Sequence, residues 1–477
     1  MSTEHYDFAI LGGGSAGYAA ARTAHGQGMN TVVIDGAEEL GGLCILRGCM
    51  PSKTLIESAN RAITIRNAAE FGLSAKAGPV DTKAIRDRKR RLIGEFADYR
   101  QQQLQDGRFK LIRGYGTLED AGEDKVRIAI QLHEGGTQSI TASYVLIATG
   151  SVINCPDIAG LHEAKPWNSD TILDHDTIPE SFIVLGGGAI ALEMAHYLDG
   201  IGRKVTVLQR NTQLLTGLDK DVADVVYDAF EKRGIEMYCG TSLQKVVRED
   251  GKVRATFKKA GEEITVEAAE VLCALGRSPN TKNIGLDNLK IAHEDNGLIA
   301  IKPTQQTTHP RVFAAGDVCG PLEVVHLAVQ QGEVAAKNAA LQWRQKAPAH
   351  TMDYRCILFG VFTHPQVAAV GLNELEAKKK NVVYLVSSYP FNDHGKSMVM
   401  GETDGFVKML ADPKDGAILG ASVVGPEATE LIHEIAVAMH LGATVAQLAK
   451  APHYHPTLSE IWTYPAEDLE EQIAANS

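Results

Sequence analysis

Short apolar runs that end in glycine clusters recur along the chain. Phe8-Ala9-Ile10-Leu11 passes directly into Gly12-Gly13-Gly14-Ser15-Ala16-Gly17, and an alanine-rich stretch over residues 18–27 follows. A second apolar run over 31–34 then ends at Asp35. The pattern predicts strand, turn, helix and strand in that order. It returns at Phe182-Ile183-Val184-Leu185, followed by Gly186-Gly187-Gly188-Ala189-Ile190-Ala191, a helix through Tyr197 and a strand over 205–208. Residues 144–150 and 271–276 predict two further strands that close on glycine turns, and 312–317 places an acid, Asp317, at a strand end. Beyond about residue 345 the pattern changes. Strand-like segments over 382–388, 405–410 and 417–424 precede a helix over Ala428–His440 that is closed by Gly442, which predicts a separate α+β domain.

The glycine loops give this pattern its chemistry. A G-x-G-x-x-G match is weak alone and strong where a strand precedes it and a helix follows. Gly12 allows the tight turn, Gly14 lets a pyrophosphate approach the backbone, and Gly17 lets helix and strand pack closely. The phosphates then meet unpaired N–H groups at the helix N-terminus. Asp35 stands where an acid accepts hydrogen bonds from an adenosine ribose. Gly186, Gly188 and Ala191 mark the second loop, and Gly276 closes its unit. One such unit suggests a dehydrogenase. Two suggest a bound flavin dinucleotide and a nicotinamide dinucleotide that reduces it. The fold class predicted is α/β, with two Rossmann-like dinucleotide-binding domains and a C-terminal α+β domain. Thr149 and Gly150 lie at the first unit's closing turn, and Asp317 is placed to hold a polyol hydroxyl.

Composition narrows the setting. The chain has 477 residues, and its 46 glycines fall in separate clusters, which excludes collagen-like or low-complexity sequence. A formal charge of -12 argues against nucleic acid or an anionic membrane as the main partner. The basic run over 86–91 lies in a helical stretch, 83–104, and is expected to be a solvated helix face. No apolar run reaches the ~18 residues of a membrane span, and the short acidic N-terminus carries no secretory signal. Seven cysteines are too few and too scattered for a disulfide scaffold. The expected location is the cytoplasm, where a closely spaced pair needs a chemical explanation.

Cys44 and Cys49 are such a pair, within Gly41-Gly42-Leu43-Cys44-Ile45-Leu46-Arg47-Gly48-Cys49-Met50-Pro51-Ser52-Lys53. Three readings compete. A structural metal site needs more soft ligands at short spacing than the sequence offers. Two inert core thiols leave the surrounding glycines and lysine unexplained. A redox-active disulfide beside a flavin accounts for them. In a regular helix the two Cα atoms would lie roughly 8–9 Å apart, whereas a disulfide needs less than about 7 Å. If the pair bridges, the helix must be wound or bent between them, and Gly48 makes that easier.

A second constellation is His453-Tyr454-His455-Pro456-Thr457-Leu458-Ser459-Glu460. Thr457 and Glu460 fit a capping box at a helix start. Thiol–disulfide exchange also needs a base that takes a proton from the attacking thiol and returns it, and an imidazole held by a carboxylate suits that task.

With these segments and both glycine loops in one order, the chain resembles the flavoprotein disulfide reductases, which include dihydrolipoamide dehydrogenase, glutathione reductase and mercuric reductase. The resemblance covers nearly the whole chain. It implies an FAD-binding domain over 1–150, an NAD(P)-binding domain over 151–276, a central domain over 277–345 completing the FAD site, and an interface domain over 346–477. It implies a homodimer whose active site is shared across the interface, and a small or carrier-bound dithiol or disulfide as substrate. Cys49 is then the flavin-facing charge-transfer thiol and Cys44 the interchange thiol. His455 is the acid–base, Glu460 its orienting partner, and His453 has a supporting role. Lys53 pairs with Glu193 beside the reactive flavin edge, and Gly42, Thr149, Gly150 and Asp317 join the FAD site.

Within the family, segments 401–408 and 425–434 most resemble dihydrolipoamide dehydrogenase, so lipoyl dithiol oxidation is the expected activity. Leu43, Leu46 and Arg47 depart from the family's usual threonine, asparagine and valine, and the Arg47 charge suits an anionic substrate or a depressed thiol pKa. At the nicotinamide site the second strand ends in Gln209 and Arg210 rather than an acid, and Ala191 replaces the third glycine. Overall likeness favours NAD; the local chemistry favours NADPH, toward which the reading leans. An NADPH-dependent reductase of another disulfide is the nearest alternative. The turn at 209–212 resembles mercuric reductase, but no cysteine follows Cys356 to form that enzyme's C-terminal pair. A diaphorase-type reductase of quinones or metal ions would not need His455, and a non-catalytic FAD-holding scaffold would not need the set Cys44, Cys49, His455 and Glu460. Cys155, Cys239, Cys273, Cys319 and Cys356 are expected to be structural.

Overall fold

The computed structural model of the chain describes residues 4–76 and 78–476; the first three residues of the acidic N-terminal stretch lie outside them. The chain divides into two units that interleave in sequence. One comprises Met1–Pro51, Asp87–Asn154 and Arg277–Asp353, and the other Ser52–Arg86, Cys155–Gly276 and Tyr354–Ser477.

In the first unit, strand Glu4–Leu11 lies between Thr31–Asp35 and Thr137–Ile147, parallel to both. Val312–Ala314 extends the sheet beside Thr137–Ile147, so a strand from late in the chain joins the sheet begun at residue 4. Lys110–Asp120 pairs parallel with Thr31–Asp35 and then antiparallel with Val126–Leu132, which pairs in turn with Thr137–Ile147. Both faces of the first strand are thereby covered. Phe8 and Ile10 pack with Ala20 and Ala24 of helix Ser15–Gly26 and Ala335 and Ala339 of helix Val325–Trp343. Ala9 and Leu11 pack against Leu118, Ile128 and Ile140 of the antiparallel layer. Side chains that alternate between two buried faces explain why the run has no polar position.

The second unit repeats this plan. Its parallel sheet is ordered Glu236–Cys239, Lys204–Gln209, Ser181–Leu185, Glu270–Cys273, Trp167–Asn168. A three-stranded antiparallel layer, Thr241–Glu249, Lys252–Lys259 and Glu262–Ala268, supplies Val246, Val253 and Phe257 to pack with Ile183 and Leu185. Phe182 and Val184 pack instead with Leu192 and Ala195 of helix Ala189–Gly200, and with Leu55 and Ala59 of helix Cys49–Arg66. An antiparallel sheet follows, ordered Leu358–Val361, Gln366–Gly371, Ile418–Gly425, Phe406–Ala411, Leu385–Pro390. Helices Ala428–His440 and Thr463–Asn476 cover it through Ile432, Ile435 and Leu469. Lys408, 3% exposed on this sheet, ties it to the helix Lys220–Lys232: Nζ lies 2.8 Å from Asp219 and from Asp221 and 3.2 Å from Glu374. Three carboxylates compensate one buried ammonium. The architecture is α/β, with two similar glycine-loop sheets and a C-terminal α+β sheet.

Two expectations need correction. The basic run is not a solvated face throughout, because helix Thr82–Gln105 buries Arg86 and Lys89, and Arg86 pairs with Asp176. These positions begin a stripe that continues through the buried Ile93, Ala97 and Leu104, so helical periodicity divides the run between an inner and an outer face. The strand expected over 382–388 begins later, at Leu385. Helix Glu374–Lys379 ends through Asn381, at φ 53°, with the Val382 N–H donating to the Ala377 carbonyl at 3.0 Å, and this consumes the preceding residues.

Glu402 and His364 lie 3.4 Å apart, yet each is driven toward its neutral form. Burial, then Asp404 and Glu70, pushes Glu402 up to about 7; burial, then Arg233, lowers His364. The contact therefore has little ion-pair character near neutrality. A carboxyl whose pKa is raised on folding costs no stability below its unfolded value and costs progressively more as pH rises through its folded value. Glu402→Gln is expected to raise Tm by about 1–3 °C at pH 8, with a smaller gain at pH 5.5. Thermal melts of both proteins across that range check the direction.

Candidate active site

The first glycine loop is built from backbone contacts. The Gly12 N–H donates to the Ile34 carbonyl and the Ala148 N–H to the Leu11 carbonyl, each at 2.8 Å, which sets the Thr149-Gly150 turn beside the loop. Helix Ser15–Gly26 starts at Gly14 with no side-chain cap, so the N–H groups of its first turn keep their donors for a ligand. Gly42, at φ 79°, abuts this start: a β-carbon there would lie 2.7 Å from Gly14 Cα. Asp35 is buried at its strand end, accepting from the Gly13 N–H at 2.7 Å and the Ala37 N–H at 2.9 Å. Asp317 accepts from Ser151 Oγ at 2.6 Å, and Arg277 Nε donates to that same hydroxyl at 2.8 Å. Thr149 Oγ1 donates to the Asn280 carbonyl at 2.7 Å. An uncapped helix start behind a glycine wall, with a buried carboxylate at the strand end, is the donor and acceptor set that a dinucleotide pyrophosphate and ribose require. The residues present fit FAD.

The second loop differs in one instructive way. A β-carbon on Gly17 would overlap the Gly12 carbonyl oxygen, whereas the β-carbon of Ala191 sits 3.4 Å from one built on Gly186. The first loop thus needs glycine at its third position and the second accepts alanine. Gly17→Ala is expected to purify with less than about a tenth of the parent's flavin, because the strand and helix must separate at the loop that would hold the pyrophosphate. Flavin absorbance per mole of protein, alongside far-UV circular dichroism, checks it. Helix Ala189–Gly200 also starts on an uncapped glycine, Gly188, which suits a second dinucleotide. Gln209 is buried, with Nε2 donating to the Gln213 carbonyl at 3.1 Å, while Arg210 is exposed. Gly276, at φ 98°, has open space around it.

Between the two cysteines the helix is broken. Leu43–Leu46 forms one short helical turn, Arg47 leaves helical geometry at φ -141°, and helix Cys49–Arg66 then begins. A β-carbon on Gly48 would lie 3.0 Å from Cys44 Cα and from the Leu43 carbonyl oxygen. The chain folds back on itself there, and glycine permits it. Cys44 is half-buried and Cys49 exposed. One turn beyond Cys49 on the same helix, Lys53 Nζ donates to both Glu193 oxygens, at 2.9 and 2.8 Å. Glu193 is buried and also accepts from the Phe362 N–H at 3.1 Å, and Lys53 Nζ stands 4.7 Å from the Phe362 ring centroid. Phe362 gave no signal in the sequence.

His455 Nδ1 donates to Glu460 Oε2 at 3.0 Å, a carboxylate being an acceptor only, which leaves Nε2 for proton exchange. The His455 side chain is 78% exposed and Glu460 is buried. The other Glu460 oxygen lies 3.5 Å from Nε2 of His394, a fully buried imidazole whose Nδ1 meets Ser397 Oγ at 2.8 Å. Burial holds His394 below the usual imidazole range against the opposing pull of Glu460. The capping box expected from Thr457 and Glu460 does not form: the short 3₁₀ helix Ser459–Trp462 starts at Leu458 with no side-chain cap, because the Glu460 carboxylate is engaged by His455. His453 is paired separately, 2.6 Å from Glu434 Oε1; burial lowers its pKa, but the hydrogen bonds to Glu434 and the Ala451 carbonyl, with the Glu434 and Glu460 charges, together raise it. The cysteines and His455 belong to different units.

Two glycine-loop crevices with a cysteine pair opening the helix that carries Lys53 define a class, the nicotinamide-dependent flavoprotein oxidoreductases that work on disulfides. Residues 6–332 match the family described as pyridine nucleotide-disulphide oxidoreductase, and 359–466 match its dimerisation domain. The chain belongs to this family. It is similar to the dihydrolipoyl dehydrogenase of Haloferax volcanii, 34% identical over 462 residues that span 96% of this chain and 95% of that protein. The dihydrolipoyl dehydrogenase of Bacillus subtilis is 32% identical over 466 residues, spanning 96% and 97%. The crystal structure of LpdA from Mycobacterium tuberculosis matches with a TM-score of 0.86 at 29% identity, covering 98% of this chain and 99% of that one. The chain is thus an NAD(P)-dependent flavoprotein disulfide oxidoreductase, with FAD and NAD(P)(H) as its cofactors. Among the described residues, no helix is long and apolar enough to cross a membrane.

Proposed function

We propose that the chain oxidises a lipoyl-type dithiol, as a dihydrolipoyl dehydrogenase, and works as a homodimer in which each subunit's His455 serves its partner's Cys44 and Cys49. The observation that carries this reading is the His455–Glu460 pair, an exposed imidazole fixed by a buried carboxylate in the region that matches the dimerisation domain. A quinone or metal-ion reductase has no use for such a base, and neither has a non-catalytic scaffold.

Four regions divide the work in this reading: 1–150 and 277–345 hold FAD, 151–276 holds the nicotinamide, and 346–477 forms the interface. Gly12, Gly14, Gly17 and Gly42 cradle the FAD pyrophosphate, Asp35 holds the ribose, and Thr149, Gly150 and Asp317 complete the site. FAD, when bound, exchanges electron pairs between the nicotinamide and the protein dithiol. The protein's own steps are thiol chemistry. A substrate thiolate attacks Cys44 of the Cys44–Cys49 disulfide and releases Cys49 as thiolate. The second substrate thiol, its proton taken by His455, attacks the mixed disulfide, releases Cys44 and leaves as the cyclic disulfide. Lys53, held by Glu193, offers a fixed positive charge where negative charge develops.

For the nicotinamide site we propose a preference for NADPH. Gln209 is turned into the protein and Arg210 is exposed at the position where a 2′-phosphate would lie. Anaerobic turnover with dihydrolipoamide, oxidised glutathione and free lipoate, each with both nicotinamides, tests both parts. Dihydrolipoamide is expected to be fastest, and Arg210→Ala to lower kcat/KM for the phosphorylated nicotinamide about tenfold, with little change for the other. Faster reduction of glutathione disulfide would overturn the substrate assignment, and a large NADH preference the nicotinamide assignment.

A further inference from the structure

Two thiols outside this site lie together. Strands Ser151–Ile153 and Arg277–Pro279 run antiparallel with Ile153 opposite Arg277. The chain continues past this pair to Cys155 on one side and leads into it from Cys273 on the other. Both cysteines pack in one apolar cluster with Leu161, Leu185 and Val271, close enough for the Cys155 thiol to act on that of Cys273. They differ in access. Cys273 is 2% exposed, whereas Cys155 is half-buried, with Sγ 3.8 Å from His162 Nδ1. Burial, then the neighbouring Cys155, pushes the Cys273 thiol up to about 12. An accessible thiol beside an imidazole, backed by a sheltered thiol, has the asymmetry of an attacking and a resolving cysteine.

We propose that Cys155 and Cys273 are a second oxidisable dithiol that closes to an intrachain disulfide by exchange with small-molecule disulfides. Cys155, its proton taken by His162, attacks one sulfur of the disulfide; the sulfur–sulfur bond breaks and one thiol leaves with a proton. Cys273 then attacks the Cys155 sulfur of the mixed disulfide, and its proton goes to the second departing thiol. Two protein thiols and one small disulfide thus become one protein disulfide and two small thiols. The position gives the closure a consequence. The Ala274 N–H, next in the chain after Cys273, donates to the Leu185 carbonyl at 2.9 Å, and the Ala274 carbonyl abuts Gly186. A covalent bond at Cys273 therefore fixes the backbone beside the second glycine loop.

The proposal does not depend on the substrate of Cys44 and Cys49. Holoenzyme without nicotinamide is incubated with oxidised glutathione, quenched in acid, denatured, alkylated and digested without reduction. The expected result is a peptide pair joined through Cys155 and Cys273, with alkylation of both falling at least about tenfold. The pair is expected equally in wild type and Cys44→Ser, absent in Cys155→Ser and Cys273→Ser, and formed several-fold more slowly in His162→Asn. Full alkylation of both cysteines, or glutathione retained on Cys155 with Cys273 alkylated, overturns the proposal. An unchanged rate in His162→Asn overturns the part given to the imidazole.

Discussion

Cys44→Ser is expected to lower dihydrolipoamide turnover by about 10³-fold or more while the protein still purifies yellow and still passes electrons from nicotinamide to an artificial dye. Serine matches cysteine in shape but is a far weaker nucleophile and leaving group, so no mixed disulfide forms. The proposed cradle for FAD, formed by Gly12, Gly14, Gly42 and Asp35, does not depend on the Cys44 sulfur. Cys44 opens no buried cavity when changed, since it is only half-buried. Loss of both activities together would point to a folding defect, and undiminished dihydrolipoamide turnover would refute the mechanism. Rapid-mixing measurement of flavin reduction by nicotinamide separates the two.

His455→Gln is expected to cost about 10²–10⁴-fold in dithiol turnover, the range ordinarily supplied by a positioned acid–base group. Glu460→Gln is expected to cost less, about 10²-fold, since the imidazole survives but loses the carboxylate that fixes its Nδ1–H. Stability should distinguish them. His455 is largely exposed, so its replacement leaves Tm nearly unchanged, whereas Glu460 is buried between His455 and His394 and its replacement lowers Tm. Dye reduction should be intact in both. Mixed dimers formed from Cys44→Ser and His455→Gln subunits, each inactive alone, should regain part of the turnover, because one of their two sites then has every group. No recovery would sink the shared-site reading.

Much of the fold was legible because its central strands are buried on two faces. Phe8-Ala9-Ile10-Leu11 and Phe182-Ile183-Val184-Leu185 have no polar position, and each runs into a glycine turn whose purpose only a ligand explains. The break between Cys44 and Cys49 was legible too, from the reach of a helix against the span of a disulfide. What the sequence hid depends on contacts between distant residues. Phe362 closes on Glu193, and His394 backs Glu460, through partners with no local pattern to announce them. The capping box failed for a related reason: Thr457 and Glu460 have the right spacing, but His455 competes for the same carboxylate and holds it. The charges of Arg86 and Lys89 suit a solvated face, but helical periodicity turns both onto the buried side of helix Thr82–Gln105.

The interleaving of the two units also constrains how the chain can be made. The sheet begun at Glu4–Leu11 has no partner beyond Thr137–Ile147 until Val312–Ala314 has been synthesised, and helix Val325–Trp343 must follow before Phe8 and Ile10 are covered. The part of this apolar face that helix Ser15–Gly26 leaves open therefore waits through most of translation, at an elongation rate of about 5–20 residues per second. For tens of seconds the nascent chain exposes a strand edge and an unfinished core. Holding chaperones, or early capture of FAD by the glycine loop, would protect this chain more than a protein whose units are completed one after the other.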